Sequence, residues 1–260
     1  MFIQQGSDAG TIERWSSNGS GDLNPSKFHG GGHVHDAAVT AVTCTSSGTI
    51  ASGGGDGAIN LWDVTGDTRL GSIPFAHIGS VHDIAASADG TMLASCGEDG
   101  YVRVWRVGHA TTARTAVSAP SAPSRHPIAE RRGDDIRVGA GRAFCVAWCE
   151  SVAALAIGFE SGDVAFLDAD RNIDSGWECL RTRGVVHAHG DAVRGLAFHD
   201  GKKSLASCGD DGVTAVHVGE LPVTTKATLH KGEYARCVRW GEDGTLYSGG
   251  WDGRVMAVKL

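Results

Sequence analysis

Ser52-Gly-Gly-Gly-Asp56-Gly57-Ala-Ile-Asn-Leu-Trp62-Asp63 is the stretch that decides the fold. Asp56-Gly57 is a strong hairpin signal, because glycine takes the positive φ such a turn needs without steric cost. Before it, Thr49-Ile-Ala-Ser52 reads as one strand; after it, Ile59, Leu61 and Trp62 build the next. Further out, Val39-Thr-Ala-Val-Thr-Cys44 alternates as a half-buried strand should, and Arg69-Leu-Gly-Ser-Ile-Pro74 supplies a fourth. The unit returns as Ser95-Cys-Gly-Glu-Asp99-Gly100-Tyr-Val-Arg-Val-Trp105. Degenerate copies run from Ser207 to His217 and from Ser248 to Val258, and weaker ones end at Trp15 and Leu167. The turn glycines Gly10, Gly57, Gly100, Gly162, Gly212 and Gly253 are spaced 47, 43, 62, 50 and 41 residues apart. Most of these lie near the ~40–45 residues of one four-stranded unit in an array. Such a unit cannot bury its apolar face alone, so the copies must stack.

A chain of 260 residues is long enough for one large all-β domain over 1–260, and 38 glycines fit many tight turns. The net charge of -7 argues against nucleic acid and anionic membrane as partners. No apolar run approaches membrane-spanning length, and the first residues do not read as a signal peptide. Of seven cysteines, Cys44, Cys96, Cys208 and Cys237 fall on predicted strands, where buried free thiols are expected. Cys145 and Cys149 lack the second pair or spaced histidine that zinc requires. This usage points to a reducing intracellular location, cytoplasmic or nuclear, and no cofactor is called for.

The repeat resembles the WD40 family, and the resemblance covers nearly the whole chain. It implies an all-β β-propeller with six recognisable blades, which could be an incomplete seven-bladed ring. In that family a His before the first strand, a Ser on the second, an Asp in the turn and a Trp on the third form a buried hydrogen-bond set. His35, Ser52, Asp56 and Trp62 match in full, as do His77, Ser95, Asp99 and Trp105. His189, Ser207 and Asp211 match with His217 in the tryptophan place, and His230, Ser248 and Asp252 match with Val258 there. The unit ending at Leu167 keeps none of the four, so apolar contacts must hold it.

A His, a Ser and an Asp together also look like a hydrolytic triad. A catalytic group occurs once, however, and this one recurs on schedule, so the structural reading prevails and no enzyme is expected. His29, His33 and His35 suggest a metal, but His35 has a place in the repeat. Gly30-Gly-Gly32 lacks the following Lys-Ser/Thr of a phosphate loop.

The 62-residue spacing marks an insertion at about 108–138, with Ala119-Pro-Ser-Ala-Pro-Ser-Arg-His-Pro127 and a local charge of +2. It reads either as a solvated flexible loop or as a partner-docking arm. The first unit shows no recognisable inner strand and the last no outer one. Either the ring closes in an unusual way or an N-terminal blade is absent, and the second reading is favoured.

Within the family, Gly10-Thr-Ile-Glu-Arg-Trp15, Ser26-Lys-Phe28, Phe144-Cys-Val-Ala-Trp148 and Gly158-Phe-Glu-Ser-Gly-Asp-Val-Ala-Phe-Leu-Asp168 resemble the methylosome type of WD-repeat protein. That resemblance implies a non-catalytic partner of an arginine methyltransferase, presenting Arg-rich substrates such as histones and spliceosomal proteins. Independently, the loops of one rim carry Asp36, Glu98, Glu160, Asp191, Asp210 and Glu233. They would attract basic segments, or serve as a plain solubilising surface. The alternative function is an interaction scaffold in another intracellular complex, including a ubiquitin-ligase substrate receptor. Against that sub-case, Trp62-Asp63-Val64-Thr65 lacks the arginine such receptors often carry there.

Overall fold

A computed structural model describes residues 2–17, 23–27, 34–46, 48–63, 68–107, 129–138, 141–149, 154–172, 176–218, 223–230 and 232–259. They form six antiparallel sheets, each a meander of strands that follow one another in the chain. The second sheet joins β4 (Val39–Cys44), β5 (Thr49–Gly54), β6 (Ile59–Asp63) and β7 (Thr68–Ile73). The third joins β8 (Val81–Ala86), β9 (Met92–Gly97), β10 (Val102–Val107) and β11 (Ala129–Ile136). The fourth is β12 (Ala143–Cys149), β13 (Ala154–Phe159), β14 (Asp163–Asn172) and β15 (Gly176–His187). The fifth is β16 (Val193–His199), β17 (Ser204–Gly209), β18 (Val213–Val218) and β19 (Val223–Thr228).

The outer two sheets in chain order have three strands each. The first holds β1 (Phe2–Gly6), β2 (Ile12–Ser17) and β3 (Leu23–Lys27); the last holds β20 (Ala235–Trp240), β21 (Thr245–Gly250) and β22 (Val255–Lys259). The Gly10 turn joins β1 to β2 as the Gly57 turn joins β5 to β6, so β1 occupies the place of a second strand.

The first strands β4, β8, β12, β16 and β20 neighbour one another in that order, which stacks the sheets radially. Apolar residues of one sheet's second and third strands pack on the first strand of the next. Ile59 and Leu61 cluster with Val81 and Ile84, and Met92, Val102 and Val104 cluster with Ala143 and Val146. Full burial of such a side chain contributes about 1.5–3 kcal/mol, and the repeat multiplies it at every interface. The fourth sheet, which has no His-Ser-Asp-Trp set, is packed with Leu155, Ile157, Phe159 and Leu167, all fully buried.

Two expectations need correction. Residues 129–136, inside the anticipated flexible insertion of 108–138, are the outer strand of the third sheet. Their sequence Ala-Glu-Arg-Arg-Gly-Asp-Asp-Ile shows no apolar alternation, yet backbone pairing with β10 holds the strand, and Asp135 answers Arg103 at 2.8 Å. The Pro-rich part of that segment lies outside the described residues. Cys44 and Cys237 are exposed, whereas Cys96 and Cys208 are buried. Cys44 ends its strand, and Cys237 sits on the last sheet, with no later sheet in the described chain to cover it.

Candidate functional site

The His-Ser-Asp-Trp sets fasten each turn to the strands beside it. Asp56 accepts the backbone N–H of Ala58 and Asp36, so it shapes its own turn and holds the loop before β4. His35 Nδ1 lies 3.0 Å from the Asp56 carboxylate, and its Nε2 lies 2.9 Å from Ser52 Oγ. Trp62 Nε1 donates to the same hydroxyl at 3.1 Å. The third sheet repeats this with His77–Asp99 at 2.9 Å, His77–Ser95 at 2.8 Å and Trp105–Ser95 at 2.9 Å. The fifth joins His189 to Asp211 and Ser207, and the last joins His230 to Asp252 and Ser248.

Ser52, Ser95 and Ser207 have no exposed surface, and two ring nitrogens already occupy the hydroxyl of each. These constellations are closed to a substrate carbonyl, and their chemistry is structural. His29 and His33 lie outside the described residues, and His35 is held within its set.

The electrostatics follow from this geometry. Burial pushes the Asp99 carboxyl up, but hydrogen bonds from His77 and Arg103 outweigh it and bring the pKa down to about 2. Burial lowers the pKa of His77 despite the adjacent carboxylate. Arg103 stands where the second sheet has Asn60, and it bridges Asp99 at 2.7 Å and Asp135 at 2.8 Å.

The acidic residues expected at one rim fall in the turns and loops at the first strands' starting ends. Asp36, Glu98, Glu160, Asp191 and Glu233 are exposed. Glu98 accepts from the Ser80 N–H, Glu160 accepts from the Arg142 N–H and lies 3.9 Å from its guanidinium, and Asp191 accepts from the Ala192 N–H. Asp210 differs: its side chain is 10% exposed and pairs with both Arg194 at 2.6 Å and Arg236 at 3.2 Å. The sequence reading missed these arginines, and it missed the apolar residues on the loop between β7 and β8. Phe75, at φ 57°, is 89% exposed, and Ile78 is 81% exposed. An aromatic left in solvent in the left-handed region was visible in sequence only as a Pro-Phe pair before His77.

Sheets stacked radially, with fastened turns and loops that differ from sheet to sheet at the rim, define a β-propeller scaffold. The chain belongs to the WD40 repeat family. The family model for the WD domain, G-beta repeat, matches residues 27–63, 69–106, 177–216 and 223–257, more than half of the chain. The chain is also similar to Striatin-4 of Mus musculus, 28% identical over 128 residues. That match covers 48% of this chain and 16% of the mouse protein, so the chain spans a small part of that relative. WD40 repeat domains mediate protein–protein contacts and are typically non-catalytic.

Proposed function

We propose that this propeller is a non-catalytic scaffold of the methylosome type, receiving Arg-rich protein segments on its acidic rim beside an arginine methyltransferase in the cytoplasm or nucleus. The observation that carries the basic-partner reading is the exposed set Asp36, Glu98, Asp191 and Glu233 on one rim, with Phe75 and Ile78 exposed as apolar anchors on the loop that meets Glu98 through Ser80. Charges so arranged raise the encounter rate of a cationic segment, and central apolar side chains contribute affinity. The methyltransferase itself rests on the sequence resemblance alone.

The test reverses those four carboxylates to lysine and measures binding of an Arg-rich histone tail against salt. Loss of binding and of its salt dependence is expected, and unchanged binding at low salt removes the reading. Affinity purification of the intact chain, followed by mass spectrometry, decides the methyltransferase: its absence from the recovered proteins leaves the general scaffold and rejects the finer role.

A further inference from the structure

Each of the five first strands carries one extra residue at its second position. The pairing register with the second strand slips between Val39 and Ala41, Val81 and Asp83, Ala143 and Cys145, Val193 and Gly195, and Ala235 and Cys237. A bulge of this kind leaves one residue out of the ladder and re-aims its side chain. The five residues so released are Thr40, His82, Phe144, Arg194 and Arg236, and all line one cavity of about 450 Å³ among the first strands. A repeated backbone irregularity thus builds a ring of side chains whose identity varies from sheet to sheet. In a chain of net charge -7, these five residues include two arginines and no acid, and Arg239 and Asp83 line the same cavity.

The two guanidinium groups are fixed before any ligand arrives. Asp210 takes Arg194 on one carboxylate oxygen and Arg236 on the other. Arg194 lies 4.0 Å over the Phe144 ring, which also neighbours the His82 ring at 4.9 Å, and Arg236 lies 5.2 Å over Trp251. Stacking sets the plane of each guanidinium, and a guanidinium offers five N–H donors in a fork that suits phosphate. One carboxylate cannot satisfy two such groups, so the trio keeps a net positive charge and spare donors at the wall of a cavity.

We propose that this ring is a phosphoryl-binding site, and that its ligand is a phosphorylated side chain of a protein partner. The site shares only Asp210 with the acidic residues expected at the rim, and it takes a ligand of opposite charge. A phosphoryl group brings three terminal oxygens, enough to bridge both arginines at once.

The probe is a neutral fluorescent peptide bearing one phosphoserine, titrated into the full chain beside its unphosphorylated twin and inorganic phosphate. The phosphopeptide is expected to bind, and Arg194→Ala with Arg236→Ala to weaken it about tenfold or more. Because those changes strand Asp210, a second variant is needed. Asp210→Asn removes the competing carboxylate and should tighten phosphopeptide binding several-fold. Equal binding of both peptides overturns the site. So does a double-arginine variant, native-like by circular dichroism, that binds undiminished, or an Asp210→Asn variant that gains nothing. Inorganic phosphate displacing the peptide at equal concentration overturns the assignment to a protein segment, leaving a small phosphorylated molecule as the ligand.

Discussion

His217 Nε2 lies 3.0 Å from Ser207 Oγ, in the place where Trp62 Nε1 approaches Ser52. Asp211 accepts the Nδ1 proton of His189, which leaves His189 Nε2 to accept from the Ser207 hydroxyl. The remaining lone pair of Ser207 then takes a proton from His217 Nε2. The same relay runs from Trp62 through Ser52 to His35, so replacing Trp by His keeps the donor and changes only the ring. In the last sheet Val258 fills that place and supplies no donor. Ser52→Ala therefore removes a shared hydrogen bond from two buried ring nitrogens, whereas Ser248→Ala removes it from the His230 nitrogen alone. At about 1–3 kcal/mol for each buried hydrogen bond lost, Ser52→Ala should be the costlier by about that amount. Urea unfolding midpoints of the two variants check this; equal losses would remove the relay as a source of stability.

Asp99 and Asp83 should give stability opposite dependences on pH. The folded pKa of Asp99, about 2, lies below the ordinary 3.8. Its contribution is thus present above pH 3.8 and lost as the pH falls toward 2. Asp99→Asn should be less stable than the native chain at pH 7, with the gap closing below pH 4. Asp83 is enclosed by first strands, and burial pushes it up to about 6, although contact with the central cavity moderates the dehydration. Its contribution is present below pH 3.8 and lost as the pH rises through about 6. Relative to Asp83→Asn, the native chain should therefore lose stability between pH 4 and 7. Denaturant midpoints across this range decide both signs.

Thiol chemistry should divide the cysteines by position in the stack. Burial pushes the thiols of Cys96 and Cys145 well above their ordinary value, and that of Cys208 up to about 12. Cys237 is exposed, and Cys44 is exposed with its thiol pushed up by partial burial. Thiolate is the reactive form, so iodoacetamide at pH 8 should label Cys237 first, Cys44 more slowly, and the buried Cys96, Cys145, Cys149 and Cys208 only after unfolding. Peptide mapping over time reads the order. Early labelling of Cys96 or Cys145 would show that the sheets around them open freely.

The turn-and-strand signal was legible because its requirements are local: a glycine at positive φ, an aspartate binding its own turn, and alternation on either side. The His-Ser-Asp-Trp sets were legible because they recur, and recurrence separates a fastener from a catalytic group. Four features were not. Outer strand β11 has a polar sequence, and backbone pairing with β10 holds it without an apolar pattern. The long β14–β15 hairpin lengthens the spacing from Gly162 to Gly212 but leaves no mark of its own in composition. The ring of Thr40, His82, Phe144, Arg194 and Arg236 depends on a one-residue register slip, which alternation cannot reveal because a bulge reverses facing without changing residue type. Exposure of Cys237 likewise depends on the sheet that comes next, and not on the strand that carries it.

The turn glycines test the stacking directly. A Cβ on Gly57 would come within 2.5 Å of the His77 carbonyl of the next sheet, and one on Gly212 within 2.2 Å of the His230 carbonyl. Gly253 has the same backbone, φ +70° against +76° at Gly57, but nothing within 4 Å of a Cβ. Gly253→Ala therefore meets only the left-handed backbone penalty, about 1–2 kcal/mol. Gly57→Ala meets that penalty and a backbone collision as well, so two sheets must separate or the turn must rearrange. Gly57→Ala should lower the unfolding midpoint well beyond Gly253→Ala. Equal effects would mean that the His77 carbonyl moves aside freely, and the close seating of one sheet on the turn of its neighbour would then contribute nothing to the order of the stack.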